Sequence, residues 1–339
     1  MMSKTKNNFS DKTIRGIVNE HFPQAILDKI ERLSSGTFNT VYQLEGSGLP
    51  KSPLMLKTGP SSAVALPQHE KFSLRTEIET YRKLQNRQIP VPRIFAHDFS
   101  HDLIPHDFFF MEKISGKTWE EYRPRKTKGL LYQLGSYTAE MHQVTSDQFG
   151  SITHDSSERF DSWSEAFMTQ IDTLLSEAEA QGTRLHVEKI RQQITLRKDL
   201  LDEVTTARLV NFDLWSGNVF LEKRKDLEIS GLIDFERSFF GDPMASFVSA
   251  LNLYDDVEKE PDFIKGYNAI SPTSLFITED DRERMWLYTL LFFLRSYVEA
   301  ERYKGIIRWG QRGLLLVILQ FMTKALDCRW KKRLKFRKD

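Results

Sequence analysis

The period of the hydrophobic pattern changes once along this chain, and that change constrains its fold more than any other feature. Up to about residue 113, apolar residues come largely in short strand-like runs; beyond it they recur mostly at helical spacing. A helix from Asp11 to His21, capped by Ser10, opens the chain, and Pro23 separates it from a second, short helix leading to Ile30. Strand-like runs follow at Arg32–Ser34, Thr40–Leu44 and Leu54–Lys57, punctuated by Gly36 and by Gly46-Ser47-Gly48. Leu74, Ile78, Tyr81 and Leu84 then share one stripe of a helix that Pro90 and Pro92 close, and two more strands are expected at Ile94–Asp98 and Phe108–Ile114.

Past Gly116 the spacing predicts helices over Lys128–Gln143, Trp163–Ala180, Leu185–Glu203, Met244–Tyr254, Asp280–Tyr303 and Gln311–Lys324, with one β interruption at Val219–Phe235. The expected class is α+β and bilobal: an antiparallel sheet of about five strands with one long helix over residues 1–113, and a larger, mostly helical lobe over 114–339. A chain of 339 residues suits two lobes around a shared cleft, and their join near residues 113–118 is where that cleft belongs.

Lys and Arg (48) nearly cancel Asp and Glu (47), so no global field recruits nucleic acid or an acidic membrane surface. The basic crowd Arg329, Lys331, Lys332, Arg333, Lys335, Arg337 and Lys338 reads as a solvated tail after the last helix. Cys328 is the only cysteine, which excludes an intramolecular disulfide and a multi-cysteine zinc site and points to a reducing compartment. The N-terminal residues offer no apolar core for a signal peptide, so the cytoplasm is the expected location. Trp286–Leu294 and Leu314–Met322 are about half the roughly 20 residues of a membrane-spanning helix, and are expected as buried helices.

Chemistry concentrates in Asn211-Phe212-Asp213-Leu214-Trp215-Ser216-Gly217-Asn218 and Leu232-Ile233-Asp234-Phe235-Glu236. The segment between them reads as a hairpin turning at Lys223–Asp226, and antiparallel strands bring Asn218, at the start of one, near Asp234, at the end of the other. An Asn/Asp pair suits Mg²⁺, which accepts one or two protein oxygens and completes its shell with phosphate and water. Asp213, five residues before Asn218, would reach the same spot, where a carboxylate can orient a hydroxyl and take its proton during phosphoryl transfer.

This pair of motifs, with the Gly241-Asp242-Pro243 that follows, resembles the aminoglycoside phosphotransferase and choline kinase-like family of small-molecule kinases. The resemblance implies a protein-kinase-like fold, ATP or GTP with Mg²⁺, and an acceptor that is a small molecule carrying a hydroxyl group. It assigns catalysis to Asp213 and metal binding to Asn218 and Asp234. Lys57, which alternation turns away from Leu54 and Leu56, would hold the α- and β-phosphates with Glu77 as its ion-pair partner. Leu33–Tyr42 takes the place of the phosphate-covering loop, with Ser35, Gly36 and Thr37 at its tip and Ser34 and Asn39 as further donors. Backbone groups of Glu112 and Ile114 would meet the base. G-x-G-x-x-G and G-x-x-x-x-G-K-[ST] are both absent, which weakens the protein-kinase and P-loop readings.

One departure precedes Asp213. The family usually carries histidine where this chain has Asn211, and commonly glycine where it has Phe212; a catalytically silent, nucleotide-binding regulatory relative is the alternative reading. For the acceptor, Asp255 and Asp256, within Tyr254–Glu258, and Trp215 are candidates, whereas Trp163, Trp286, Tyr288, Phe292, Phe293 and Tyr297 read mainly as core.

Overall fold

The alternation in the first third of the chain is realised as one antiparallel sheet. The structure, a computed structural model, describes residues 4–34, 36–153, 158–250 and 256–336. Strands β1 (Ile26–Arg32), β2 (Thr40–Ser47), β3 (Leu54–Ser61), β4 (Ile94–Asp98) and β5 (His106–Glu112) lie in the order β1-β2-β3-β5-β4. Helix α1 (Asp11–His21), whose Ser10 Oγ accepts from the Thr13 N–H at 3.1 Å, packs Ile14, Ile17 and Val18 with Leu54, Leu56 and Phe110 in one core cluster. On the other face, α2 (Ser73–Leu84) sets its predicted stripe against Met55, Phe109 and Met111. Period-two alternation in β3 thus divides Leu54 and Leu56 from Met55 and Lys57.

Residues 26–32 correct one expectation. They form a strand paired with β2 from Ile26 opposite Ser47 to Arg32 opposite Tyr42, so the short helix leading to Ile30 does not exist, and the run at Arg32 is the end of this strand. Pairing across the sheet overrides the local pattern there. Gly46 makes that pairing possible, since a Cβ on it would lie 2.0 Å from the Ile26 carbonyl oxygen.

The rest is largely helical. Helices Lys128–His142, Trp163–Ala180 and Glu279–Glu299 match their expected positions within a few residues. The expected helix over Leu185–Glu203 breaks into Val187–Thr195 and Lys198–Asp202, because Arg197 between them turns fully inward. Its guanidinium donates to Glu283 (2.8 Å), to the Gln193 carbonyl (2.8 Å) and to the Leu326 carbonyl (2.6 Å). Pro261–Ile270 is an additional helix, opened by proline at its first position. Met244–Ser249 is helical; the remainder of the segment expected to reach Tyr254 falls mostly on 251–254, outside the described residues.

The last helix runs over Gly305–Phe336, well beyond the expected Gln311–Lys324, and its Leu314–Met322 stretch is buried only on one side: Leu319 and Met322 face the core, whereas Leu314, Val317 and Phe321 are exposed. Arg329 pairs with Glu283 at 2.6 Å and Arg333 with Asp280, so the basic C-terminal segment begins as docked helix and not as a tail. Among the described residues, no helix is long and apolar enough to cross a membrane.

The predicted hairpin is present. Val219–Lys223 pairs with Leu227–Leu232, Val219 standing opposite Leu232, and its first strand also pairs with Lys117-Thr118 from the segment that leaves the sheet. Asp242 of Gly241-Asp242-Pro243 is buried and accepts from Arg284 Nε (2.9 Å), Tyr288 OH (2.6 Å) and the Met244 N–H (3.0 Å). Three donors on a buried carboxylate make this a structural anchor. Trp163 Nε1 donates to the same Tyr288 hydroxyl at 2.9 Å, which assigns both aromatics to the core.

Candidate active site

Two short stretches leading into and out of the hairpin build the floor of the site. Asn211 Oδ1 accepts the Asp213 N–H at 2.9 Å, and Ser249 Oγ accepts the Leu214 N–H at 3.3 Å, which fixes the backbone on both sides of the carboxylate. Asn218 Nδ2 donates to the Asp213 carbonyl (2.9 Å) and to its carboxylate (3.3 Å). The Asn218 carbonyl in turn accepts the Ile233 N–H at 3.0 Å, bringing the chain to Asp234. Gly217 is required by contact, since a Cβ there would lie 2.3 Å from the Trp215 ring.

Asp234 has φ of +66°, an uncommon conformation for a residue other than glycine, and two side chains hold it there, one on its carboxylate and one on its N–H. Lys57 Nζ donates to Asp234 Oδ1 and to Glu77 Oε2, each at 2.6 Å. Tyr81 OH donates to Glu77 Oε1 at 2.8 Å and accepts the Asp234 N–H at 3.2 Å. Lys57 and Glu77 are therefore brought together across β3 and α2, and Asp234 joins them from the hairpin's end.

Four further residues belong to this cluster that the sequence reading did not single out. Tyr81 was expected only as a member of the apolar stripe. Glu236 lies with Glu77 and Asp234 such that their carboxylate oxygens fall within 4.8 Å of one another, and it accepts from Asn39 Nδ2 at 2.5 Å. Arg237 Nη1 approaches Asp213 Oδ1 at 3.8 Å while its Nη2 donates to Glu299 at 2.7 Å. Glu236 and Arg237 directly follow Asp234-Phe235, which was the available signal; Glu299, on a distant helix, left none.

The electrostatics follow from burial and crowding. Burial pushes the Asp213 carboxyl up to about 6; Arg237 pulls it down, and the charges of Asp234 and Glu299 add to the rise. Glu77 is raised by burial against the pull of Lys57, and Glu236 is raised well above its ordinary value by burial and then by Asp234. Burial alone would lower Lys57, but the carboxylates of Asp234, Glu77 and Glu236 raise it. Three carboxylates thus share one ammonium.

Phe212 fills space in the core. Its ring lies edge-on to Phe239 (5.5 Å) and Phe292 (5.9 Å), with the Arg295 guanidinium 5.3 Å over its face. Burial and the like charge of Arg237 lower Arg295 to about 10, so it stays charged near neutrality. Asn211 covers one of its bonds but leaves its buried Nδ2 without a partner.

The loop within Leu33–Tyr42 folds down onto the helical part. Gly36 has φ of +76°, and Thr5 Oγ1 donates to the Phe38 carbonyl (3.0 Å) and more weakly to that of Thr37 (3.4 Å). Arg302 stacks 4.8 Å over the Phe38 ring. Ser35 and Asp255 lie outside the described residues. The Glu112 N–H donates to the Arg93 carbonyl at 2.8 Å, so of its backbone groups only the carbonyl could meet a base; Ile114 packs its side chain on Gly231. Asp256 caps the short turn Val257–Lys259, accepting the Glu258 N–H at 3.1 Å, and no described contact joins it to Asp213. Trp215 borders Asp213 through its N–H, which donates to the Asp213 carbonyl at 3.1 Å.

Comparison with known proteins agrees with this architecture. A protein of Enterococcus faecium, named by inference a ketoamine kinase, is 25% identical over 185 residues, or 49% of this chain and 60% of that protein, less than two thirds of its length. The structure of an inferred fructosamine-3-kinase from Thermobifida fusca superposes with a TM-score of 0.66 at 18% identity, covering 94% of this chain and 99% of that one. An aminoglycoside phosphotransferase of type (2″)-IIa, in complex with streptomycin and ATP, gives a TM-score of 0.61 at 19% identity over 94% of this chain and 99% of that one. These likenesses establish the bilobal, kinase-like fold. The profile of the phosphotransferase enzyme family matches residues 29–282, from within β1 past Asp213, Asn218 and Asp234 though short of Glu299, and the chain belongs to that family.

Proposed function

We propose that the protein is a small-molecule kinase that transfers the γ-phosphoryl group of ATP or GTP to a hydroxyl of its acceptor. The reading rests above all on the continuous chain of contacts Asp213–Asn218 and Asp234–Lys57–Glu77, joined through the Ile233 backbone. In it, Asp213 orients the acceptor hydroxyl and takes its proton as the oxygen bonds to the γ-phosphorus and the bond to the leaving nucleoside diphosphate breaks. A carboxylate raised to about 6 is still largely ionised near neutrality and is a better base than an ordinary aspartate. Lys57, oriented by Glu77, would engage the phosphates with Gly36 and Thr37 of the covering loop, and backbone at Glu112 and Ile114 would face the base.

The donor set fits a divalent cation. Asn218 and Asp234 would hold it with Glu236 in reach, and the excess of carboxylates over the single Lys57 ammonium is what such an ion relieves. A divalent cation held there would supply positive charge to the transferring phosphoryl group. The same assignment divides the chain into a nucleotide-binding lobe, 1–113, and an acceptor-binding lobe, 114–339, and a cytoplasmic location accompanies it. Relatives named for ketoamine, fructosamine and aminoglycoside substrates favour a polyhydroxylated, sugar-like acceptor, and relatives solved with ATP and with GDP support either donor.

The test is phosphoryl transfer from ATP and from GTP, with Mg²⁺, to a panel of fructosamines, aminoglycosides and amino alcohols, read by mass. Asp213→Asn should lower kcat by on the order of 10²–10⁴ while nucleotide binding persists. Unimpaired turnover in that variant would remove the role given to Asp213. Nucleotide binding with no transfer to any acceptor would favour the silent, regulatory reading, which the unpartnered Asn211 Nδ2 motivates.

A further inference from the structure

The last helix, Gly305–Phe336, carries a face that nothing among the described residues covers. Ile306, Trp309, Leu314, Val317 and Phe321 are each between 63% and 87% exposed. At 3.6 residues per turn they fall with Gly310 and Gly313 on one side of the helix, opposite the buried Leu319, Met322 and Leu326. Together the five side chains present on the order of 600 Å² of apolar surface, the upper end for a typical monomer. The polar rim of the same face brings it towards the ~800 Å² per partner of a stable interface.

The glycines are a second, independent observation. Glycine in a helix interior is unfavourable relative to alanine, and a Cβ on Gly310 or Gly313 would meet nothing within 4 Å. No contact among the described residues explains them; close approach of another helix does. Their spacing also selects the partner. With two copies of the helix run antiparallel about an axis between Gly313 and Leu314, Ile306 faces Phe321, Gly310 faces Val317, and Gly313 faces Leu314. Large side chains then oppose glycines at the centre, and the stripe is complementary to itself, as a two-fold interface demands.

Charge chooses the direction. Beyond Phe321 the same face continues as Lys324, Cys328, Lys331 and Lys332. A parallel pair would stack these lysines on their own copies, whereas the antiparallel pair sends the two basic halves outward in opposite directions. We propose that the protein is a homodimer whose two-fold axis passes beside Gly313 and Leu314 of this helix.

Light scattering on the full chain at micromolar concentration should give about twice the 39.6 kDa of one chain. Val317→Glu should return the mass to that of one chain while cooperative unfolding is kept, its midpoint falling by no more than the stabilisation that association gave, because Val317 is exposed within one chain. Gly313→Leu should also dissociate the pair, with a midpoint at or above that of Val317→Glu because a helix-interior glycine is removed, which separates lost association from misfolding. In a Cys328→Ser background with diamide as oxidant, Gly313→Cys should form a symmetric disulfide. Phe321→Cys should not, since its two copies lie roughly 22 Å apart at 1.5 Å rise per residue. A single-chain mass at all concentrations overturns the proposal, whether or not the protein then sediments with vesicles of neutral and anionic phospholipid; so does a dimer that survives Val317→Glu.

Discussion

Replacing Tyr81 by Phe isolates one atom of the site. The ring is fully buried and packs edge-on to Phe235, with centroids 5.5 Å apart, so Phe fills the same space and no cavity opens. What disappears is the hydroxyl between Glu77 Oε1 (2.8 Å) and the Asp234 N–H (3.2 Å). A hydrogen bond to a charged acceptor contributes about 1.5–3 kcal/mol, and an N–H left unsatisfied in the interior costs about 1–3 kcal/mol. Because Lys57 still holds both carboxylates, part of this is recovered, and a net loss of about 2–4 kcal/mol is expected. The Asp234 backbone, at φ of +66°, also loses a restraint.

The variant should therefore lose several degrees of thermal midpoint. It should also show a rise in the nucleotide and Mg²⁺ concentrations needed for half-maximal binding, since the residues proposed to meet both are less well held. Isothermal calorimetry with nucleotide and Mg²⁺, alongside thermal unfolding, reads the two effects. Unchanged stability together with unchanged nucleotide affinity would refute the view that Tyr81 ties α2 to the hairpin's end. A stability loss with unchanged affinity would leave Tyr81 a core residue only.

Two more outcomes follow from the same geometry. With Asp213 as the proposed base and burial raising its carboxyl to about 6, activity should rise with pH through an acid limb at about that value; Arg237 pulls that pKa down, so Arg237→Gln should move the limb to higher pH, read from kcat–pH profiles. Phe212→Gly, which restores the family's common residue, should not enhance activity: removing a fully buried ring from beneath Arg295 costs at least about 3–5 kcal/mol, measured by urea unfolding.

How much was legible beforehand depended on how far apart in the chain the deciding atoms lie. The Asp213–Asn218 contact spans five residues on one loop, and the hairpin that returns to Asp234 is local, so spacing alone pointed to both. Lys57 and Glu77 could be paired from β alternation followed by a helix, with the resemblance supplying the reason to pair them. Residues 26–32 were misread because their strand exists only through β2, and the break at Arg197 because its partners Glu283 and the Leu326 carbonyl come from distant helices.

Phe212 and Tyr81 mark the boundary most clearly. By itself, the sequence determined that a carboxylate, an amide and a second carboxylate would converge at Asp213, because short-range geometry leaves a five-residue loop and a hairpin few alternatives. It also placed Tyr81 on the correct face of α2, since a helical period reports which side is buried. Only the tertiary structure decided what lies across that face: a left-handed aspartate and a lysine for Tyr81, an arginine over the ring of Phe212. Periodicity encodes burial one element at a time, whereas the identity of a contact depends on how separate elements pack.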